Sequence, residues 1–192
     1  MNVVVITENS FYDQELLRPV VEAMFNYLEK PGANIRFYQN EARMKGVAAV
    51  MDWEKIKKVL NRYKSYNIIL LLVDRDGIQK RETDLQTLRQ QAIDKMNMRT
   101  FIPECARQEI EVWVLAGCDD LEWNITVIRD EPNPKETYFL PYSKKRGYFD
   151  RDYNGHKYIA TQSAQNYKRI RHHCPELQTL EEKIQAVLTQ SP

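Results

Sequence analysis

The segment Asn67-Ile-Ile-Leu-Leu-Leu-Val73 constrains this chain more than any other stretch. A strand that is apolar on both faces belongs in mid-sheet, with helices packed above and below it. The run stops at Asp74-Arg75-Asp76-Gly77. Acids at alternate positions after an extended segment project to the same side, with Arg75 turned elsewhere. Gly77 lets the chain turn away at once. The apolar part, residues 68–73, is far too short to span a bilayer.

The flanking sequence alternates in the same spirit. Residues 2–7 are a β-branched run that reads as a buried strand. Leu16, Leu17, Val20, Val21, Met24, Phe25 and Leu28 recur at helical spacing over residues 13–30, and Pro31-Gly32 stops them. Residues 34–38 form a weaker strand. Asp52 caps a helix through Ile56, Val59, Leu60 and Tyr63. Thr83 and Gln86 make a capping box for a helix reaching about Met96. Residues 100–102 give a short fourth strand, and residues 107–116 a helix capped by Gly117. Strand and helix in alternation mean an α/β fold, a mostly parallel sheet flanked by helices on both faces, over residues 1–117. Residues 118–192 are expected as an α-rich C-terminal extension packed on the same domain. It contains a loop at Asp130-Glu-Pro-Asn-Pro134, a basic and aromatic loop over residues 138–158, a basic helix with Lys168, Arg169 and Arg171, and an amphipathic helix capped at Thr179 with Glu182 three residues on.

Lys and Arg number 28 against 27 Asp and Glu, so bulk charge excludes a polybasic nucleic-acid coat, and any such contact must be a local patch. The N-terminus has neither a basic n-region nor a long apolar stretch, so no signal peptide and no membrane association are expected. Three widely spaced cysteines fit free thiols in a reducing, cytoplasmic setting. Cys174 beside His172 and His173, with His156 upstream, is the one zinc-like grouping, but neither CxxC nor HxxxH spacing supports it.

The chemistry lies in where acids fall relative to strand ends, because open parallel sheets bind ligands beyond the carboxyl ends of their strands. Glu8 follows the first strand, and Asp74 and Asp76 follow the central one. If those strands are neighbours, three carboxylates converge and repel. A divalent cation removes the conflict, and oxygen-only ligands select Mg²⁺ or Mn²⁺. Glu109 and Glu111, just before the apolar segment 112–116, form a third acidic element; on a helix the two diverge, so that only one reaches the site. The plainer alternative is that the aspartates shape a turn while the glutamates sit at helix starts, where the dipole favours them.

Taken in order, Ile6-Thr-Glu8, Leu72-Val-Asp74-Arg-Asp76-Gly77 and Glu109-Ile-Glu111-Val-Trp113 resemble the Toprim fold. The first two match the Glu and the DxD of that family. The third is similar to the later acidic element of small stand-alone Toprim-like proteins of unassigned function and of the overcoming-lysogenisation-defect (OLD) nucleases. Where Toprim domains often carry Gly after the first Glu, this chain has Asn9, which also tolerates left-handed backbone. The resemblance implies Mg²⁺- or Mn²⁺-dependent phosphodiester hydrolysis of DNA or RNA, in defence against mobile elements. Asp74, Asp76 and Glu109 or Glu111 would hold metal, and Glu8 would ligate it or act as general base. No GxxxxGK[ST] motif is present, so the OLD analogy implies an ATPase on a separate chain.

Nucleic-acid contacts are expected from Lys144, Lys145 and Arg146 to phosphates, from Tyr148 or Phe149 by stacking, and from Lys45 in the loop after the second strand. Two rivals stand beside the nuclease. Asp74-Arg-Asp76-Gly77 is similar to the DxDG of haloacid-dehalogenase phosphatases, with Asp119-Asp120 as a later acidic pair. The chain would alternatively be a non-catalytic metal- or protein-binding subunit of an ATPase-associated complex. An EF-hand fails, because Gly77 would be fourth in a loop that needs Gly sixth.

Overall fold

A computed structural model describes residues 1–39, 46–148 and 154–190. Four parallel strands, β1 (Asn2–Ile6), β2 (Asn34–Phe37), β3 (Ile68–Asp74) and β4 (Phe101–Ala106), lie in the order β2-β1-β3-β4. Val3 to Ile6 pair with Ile68 to Leu71 at the centre of the sheet. Side chains alternate along each strand. Val3, Val5, Leu70, Leu72 and Ile102 enter one core, and Val4, Ile6, Ile69, Leu71 and Val73 enter the other.

Helices cover both faces. α1 (Tyr12–Tyr27) lies on the first face, and its apolar stripe is fully inside. The short α2 (Val47–Val50), α3 (Trp53–Arg62) and α4 (Arg81–Met96) supply the second. Asp52 caps α3 by accepting from the Lys55 N–H at 3.0 Å. α5 (Glu111–Ala116) is wholly buried on the first face. After it come α6 (Ile125–Asp130), a π-helical turn (Lys135–Phe139), α7 (Leu140–Lys145), α8 (Asn154–Ala164), α9 (Tyr167–His173) and α10 (Pro175–Gln190). The C-terminal helices share one apolar core with α1 and α5. This is the α/β fold with an α-rich extension. Among the described residues no helix is long and apolar enough to cross a membrane.

Five local expectations need correction. β4 runs to Ala106 instead of stopping at residue 102, and the next helix begins at Glu111, not at residue 107. Glu104 hides the strand from a sequence reading. Its carboxylate is buried because Lys183 of α10 reaches it at 2.7 Å from 79 residues away. Residues 107–110 stay non-helical because their backbone serves the loop after β3: the Gln108 carbonyl accepts from the N–H groups of Arg75 and Asp76. α4 starts at Arg81, which puts Thr83 inside the helix; a turn in which the Ile78 carbonyl accepts from the Arg81 N–H starts it early. α10 starts at Pro175, whose fixed φ suits a first helical position, and the Thr179 hydroxyl donates to the Pro175 carbonyl within the helix. The basic and aromatic stretch is helical through Lys145.

Gly117 is a tight joint between the sheet domain and the extension. A Cβ there would stand 2.2 Å from Ser163 Oγ and 2.5 Å from the Ser163 carbonyl. Gly117→Ala is expected to destabilise the protein by about 2 kcal/mol through overpacking. Urea denaturation checks it, and an unchanged midpoint would show that α8 gives way freely.

Candidate functional site

The strand order places a reversal between β1 and β3. From β1 the chain crosses outward to β2, then returns past β1 to β3 and continues to β4. Ligand crevices in doubly wound sheets form at such a switch point, beyond the carboxyl ends of the two strands. Glu8 and Asp74 stand on either side of it. Glu8 Oε1 accepts from the Asp74 N–H at 2.9 Å, and Asp74 Oδ1 accepts from the Ile110 N–H at 2.8 Å. The acids at the ends of β1 and β3 and the backbone before α5 are thus chained together through backbone donors.

The turn after β3 is held from below. Asp76 and Gly77 both take positive φ, +51° and +68°, a backbone that aspartate and glycine tolerate best. Gln108 Oε1 accepts from the Gly77 N–H at 3.0 Å. Asp76 is exposed and lies 3.5 Å from the buried guanidinium of Arg81. Arg75 does turn away from the acids, toward Glu82 at 3.6 Å. Asn9 does not use left-handed backbone. It accepts from the Tyr12 N–H through its side chain and donates its own N–H to Asp13 Oδ2 at 2.8 Å, closing the start of α1.

Asp13 is the acid that a sequence reading misses. It is buried, and its neighbours are Glu111, Glu8 and Asp74. One signal was available: Asp13 precedes Leu16 and Leu17 by three and four residues, which places it on the apolar stripe of α1. Burial, with Glu111 and Glu8 nearby, pushes its carboxyl up to about 7. Asp74 is held well above the usual range by burial and by Glu111, Glu8 and Asp13. Burial also raises Glu8, assisted by Asp76 and opposed by the Asp74 N–H and Arg81.

Glu109 and Glu111 do not diverge. Both meet Lys135, the first residue of the π-helical turn. Glu109 Oε2 accepts its backbone N–H at 2.8 Å, and Glu111 Oε1, 2% exposed, lies 3.2 Å from its ammonium. Burial lifts Glu109 to about 7, with Glu111 adding to the rise. Burial works against the Lys135 ammonium, but Glu111, Glu109 and Asp13 more than offset it and hold the charge. The same ammonium stands 3.8 Å over the ring of Tyr12. The rim therefore gathers Glu109, Glu111 and Asp13 near Lys135, with Glu8 and Asp74 beside Asp13 and Asp76 and Arg81 beside Glu8. Among the described residues no three His, Cys, Asp or Glu side chains stand around a common point as a metal site would require.

The expected nucleic-acid patch is elsewhere and is paired. Lys145 pairs with Glu122 and Arg146 with Asp120, while Lys144 is exposed. Tyr148 packs against Tyr158, with ring centroids 5.1 Å apart. Lys45 and Phe149 lie outside the described residues. Asp119 pairs with Arg169, and Asp120 also accepts from the Tyr142 hydroxyl, so both acids tie the extension together. The zinc-like grouping does not assemble among the described residues: His156 is buried between the rings of Tyr12 and Phe139, His172 and His173 meet edge to face, and Cys174 is fully buried.

No curated protein and no solved structure matches the chain. A family match covers residues 7–185, from the end of β1 into α10, and so includes the acidic rim and the helices packed behind it. On that span the chain belongs to the family described as a domain of unknown function (DUF4276).

Proposed function

We propose that the rim at the β1/β3 switch point is the active site of a Mg²⁺- or Mn²⁺-dependent nuclease that hydrolyses phosphodiester bonds in nucleic acid. One observation carries the reading: Asp74, at the end of the central strand, has three other carboxylates as its leading charged neighbours. Such a cluster favours either protons or a hard cation. The donor set is oxygen-only and fits Mg²⁺ or Mn²⁺. Glu8, Asp74 and Asp76, with Glu109 or Glu111, are the residues that would hold it. Bound there, the ion would polarise a phosphate oxygen and stabilise the departing oxyanion.

The chain's own groups supply the rest. The Asp74 N–H fixes the Glu8 carboxylate, and burial raises its proton affinity, as suits a base accepting a proton from an attacking water. The turn at Asp76 and Gly77, tied to Gln108, sets the second aspartate at the mouth of the crevice. Lys135 and Arg81 balance part of the negative charge until substrate arrives. Glu8 after the first strand and the aspartates after the third are the order that the Toprim resemblance implies. By the same resemblance the protein works in the cytosol, against mobile elements, with a separate ATPase chain; its three buried free thiols suit that compartment.

The test is Mn²⁺-supplemented cleavage of labelled DNA and RNA by the isolated chain. Asp74→Asn and Glu8→Gln are each expected to lower the rate by more than about 100-fold while the fold is kept. Metal-dependent thermal stabilisation without cleavage would instead make the chain a binding subunit. An aspartyl-phosphate trapped at Asp74 would make it a phosphatase.

A further inference from the structure

On the far side of the turn after β3 lies a cleft of about 590 Å³ between α4, the β4 edge and α10. It is distinct from the acidic rim, but Arg75 joins the two: its flanking aspartates face the rim, and its own side chain lines the cleft. The cleft contains five cationic side chains, Arg75, Arg89, Arg107, Arg129 and Lys183, and three acids, Glu82, Glu104 and Glu176.

Two of those cations are already spent on structure. Arg129 grips Glu176 with both guanidinium nitrogens at 3.0 and 2.9 Å, and Trp113 donates to the same carboxylate at 2.9 Å. Lys183 neutralises Glu104. Three arginines remain. Among the described residues the Arg75 side chain has only the loose ion pair with Glu82, whose side chain is 60% exposed. Arg107 pairs with Asp130 in a contact open to water, and such pairs contribute little. Arg89 has no hydrogen-bond or ion-pair partner among the described residues. The Nε atoms of Arg75 and Arg89 are both buried and unsatisfied, an arrangement that costs free energy unless an acceptor arrives.

Converging, underused guanidiniums recognise phosphate in a planar, bidentate way that ammonium groups do not. The cleft volume suits a ligand of nucleotide size. We propose that Arg75, Arg89 and Arg107 bind the phosphate backbone of a single nucleic-acid strand and lead it to the acidic rim. The inference rests on the nuclease reading for its substrate class. It moves the strand-binding role from Lys144, Lys145 and Arg146, two of which are ion-paired, to the cleft that Arg75 lines. Arg75 and Arg89 are recessed (the Arg75 side chain is 22% exposed) while Arg107 is open to water, and a flexible strand reaches such a depth better than a rigid duplex.

Binding is tested in EDTA, where hydrolysis plays no part, by fluorescence anisotropy of a labelled single strand of about 12 nucleotides. Arg89→Ala and Arg107→Ala are each expected to weaken binding about 10-fold, and to reduce the slope of log K against log salt by about 0.7 for each phosphate no longer neutralised. Lys144→Ala with Lys145→Ala is expected to leave both unchanged. Thermal melting of each variant separates misfolding from a weakened binding site. Wild-type affinity in both arginine variants, tighter binding of the matching duplex, or no binding by the wild type would each overturn the proposal. Cleavage with undiminished binding in the arginine variants would sink it and leave the nuclease reading standing. Arginine-dependent binding without cleavage would do the reverse.

Discussion

Lys135→Met is expected to destabilise the protein by about 3–5 kcal/mol, the usual cost of leaving one member of a buried ion pair without its partner. Glu111 is 2% exposed and has the Lys135 ammonium 3.2 Å away. Without that charge, Glu111 would keep Asp13 and Asp74 as neighbours and lose the cation that offsets them. The backbone N–H of Lys135 would still serve Glu109, so the loss belongs to the ammonium and not to the π-helical turn. Glu111→Gln in the same chain is expected to restore much of the stability, because it removes the orphaned charge. Denaturation midpoints of the two single variants and the double variant measure the coupling. A cost below about 1 kcal/mol for Lys135→Met would mean that water already reaches this pair. If the rim accepts a divalent cation, Mn²⁺ should return part of the loss in Lys135→Met, since the ion and the ammonium neutralise the same carboxylates.

In the absence of divalent cations, stability is expected to fall as pH rises from about 4 to about 7. Asp13 titrates near 7 in the folded chain against an ordinary value of 3.8. A carboxyl raised by folding contributes fully while both states are protonated, and the contribution disappears as pH passes the folded value. For Asp13 the difference corresponds to about 4 kcal/mol, or a fall in Tm of roughly 8–16 °C for a chain of this size. Asp74, Glu8 and Glu109 are shifted in the same direction, by burial first and by their neighbours second. Glu176 has the opposite sign. Burial works against its charge, but Arg129 and Trp113 hold its carboxyl below the ordinary range, so its contribution is lost only as pH falls below about 4. Maximum stability therefore lies on the acidic side of neutrality. Asp13→Asn keeps an oxygen for the Asn9 N–H and removes the charge; it should flatten the profile between pH 5 and 8 and raise Tm at pH 8. A profile as steep as wild type in Asp13→Asn would show that the cluster is hydrated. Mg²⁺ at pH 8 should stabilise the wild type more than Asp13→Asn if the ion replaces the protons.

The elements legible in the residues alone are those whose signals are local or periodic. The doubly apolar run at residues 67–73 had to be a covered central strand, and β3 lies there with both faces buried. The stripe on α1 and the Asp52 cap of α3 follow from helical geometry and from one side chain reaching its own backbone. Glu8, Asp74 and Asp76 were legible as strand-end acids because a strand's end is marked by where its apolar run stops. Whatever depended on a partner distant in the chain was settled by folding. Only the sheet order shows that β1 and β3 are neighbours and that Glu8 meets the Asp74 N–H. Glu104 lies beyond the expected end of the fourth strand at residue 102 and is in its interior, because Lys183 comes from α10 to neutralise it. Glu109 and Glu111 were expected to part and instead converge, since Lys135 offers one its backbone and the other its ammonium. A charge in a sequence carries no record of its counter-charge, and burial of charge is favourable only once the fold has supplied one.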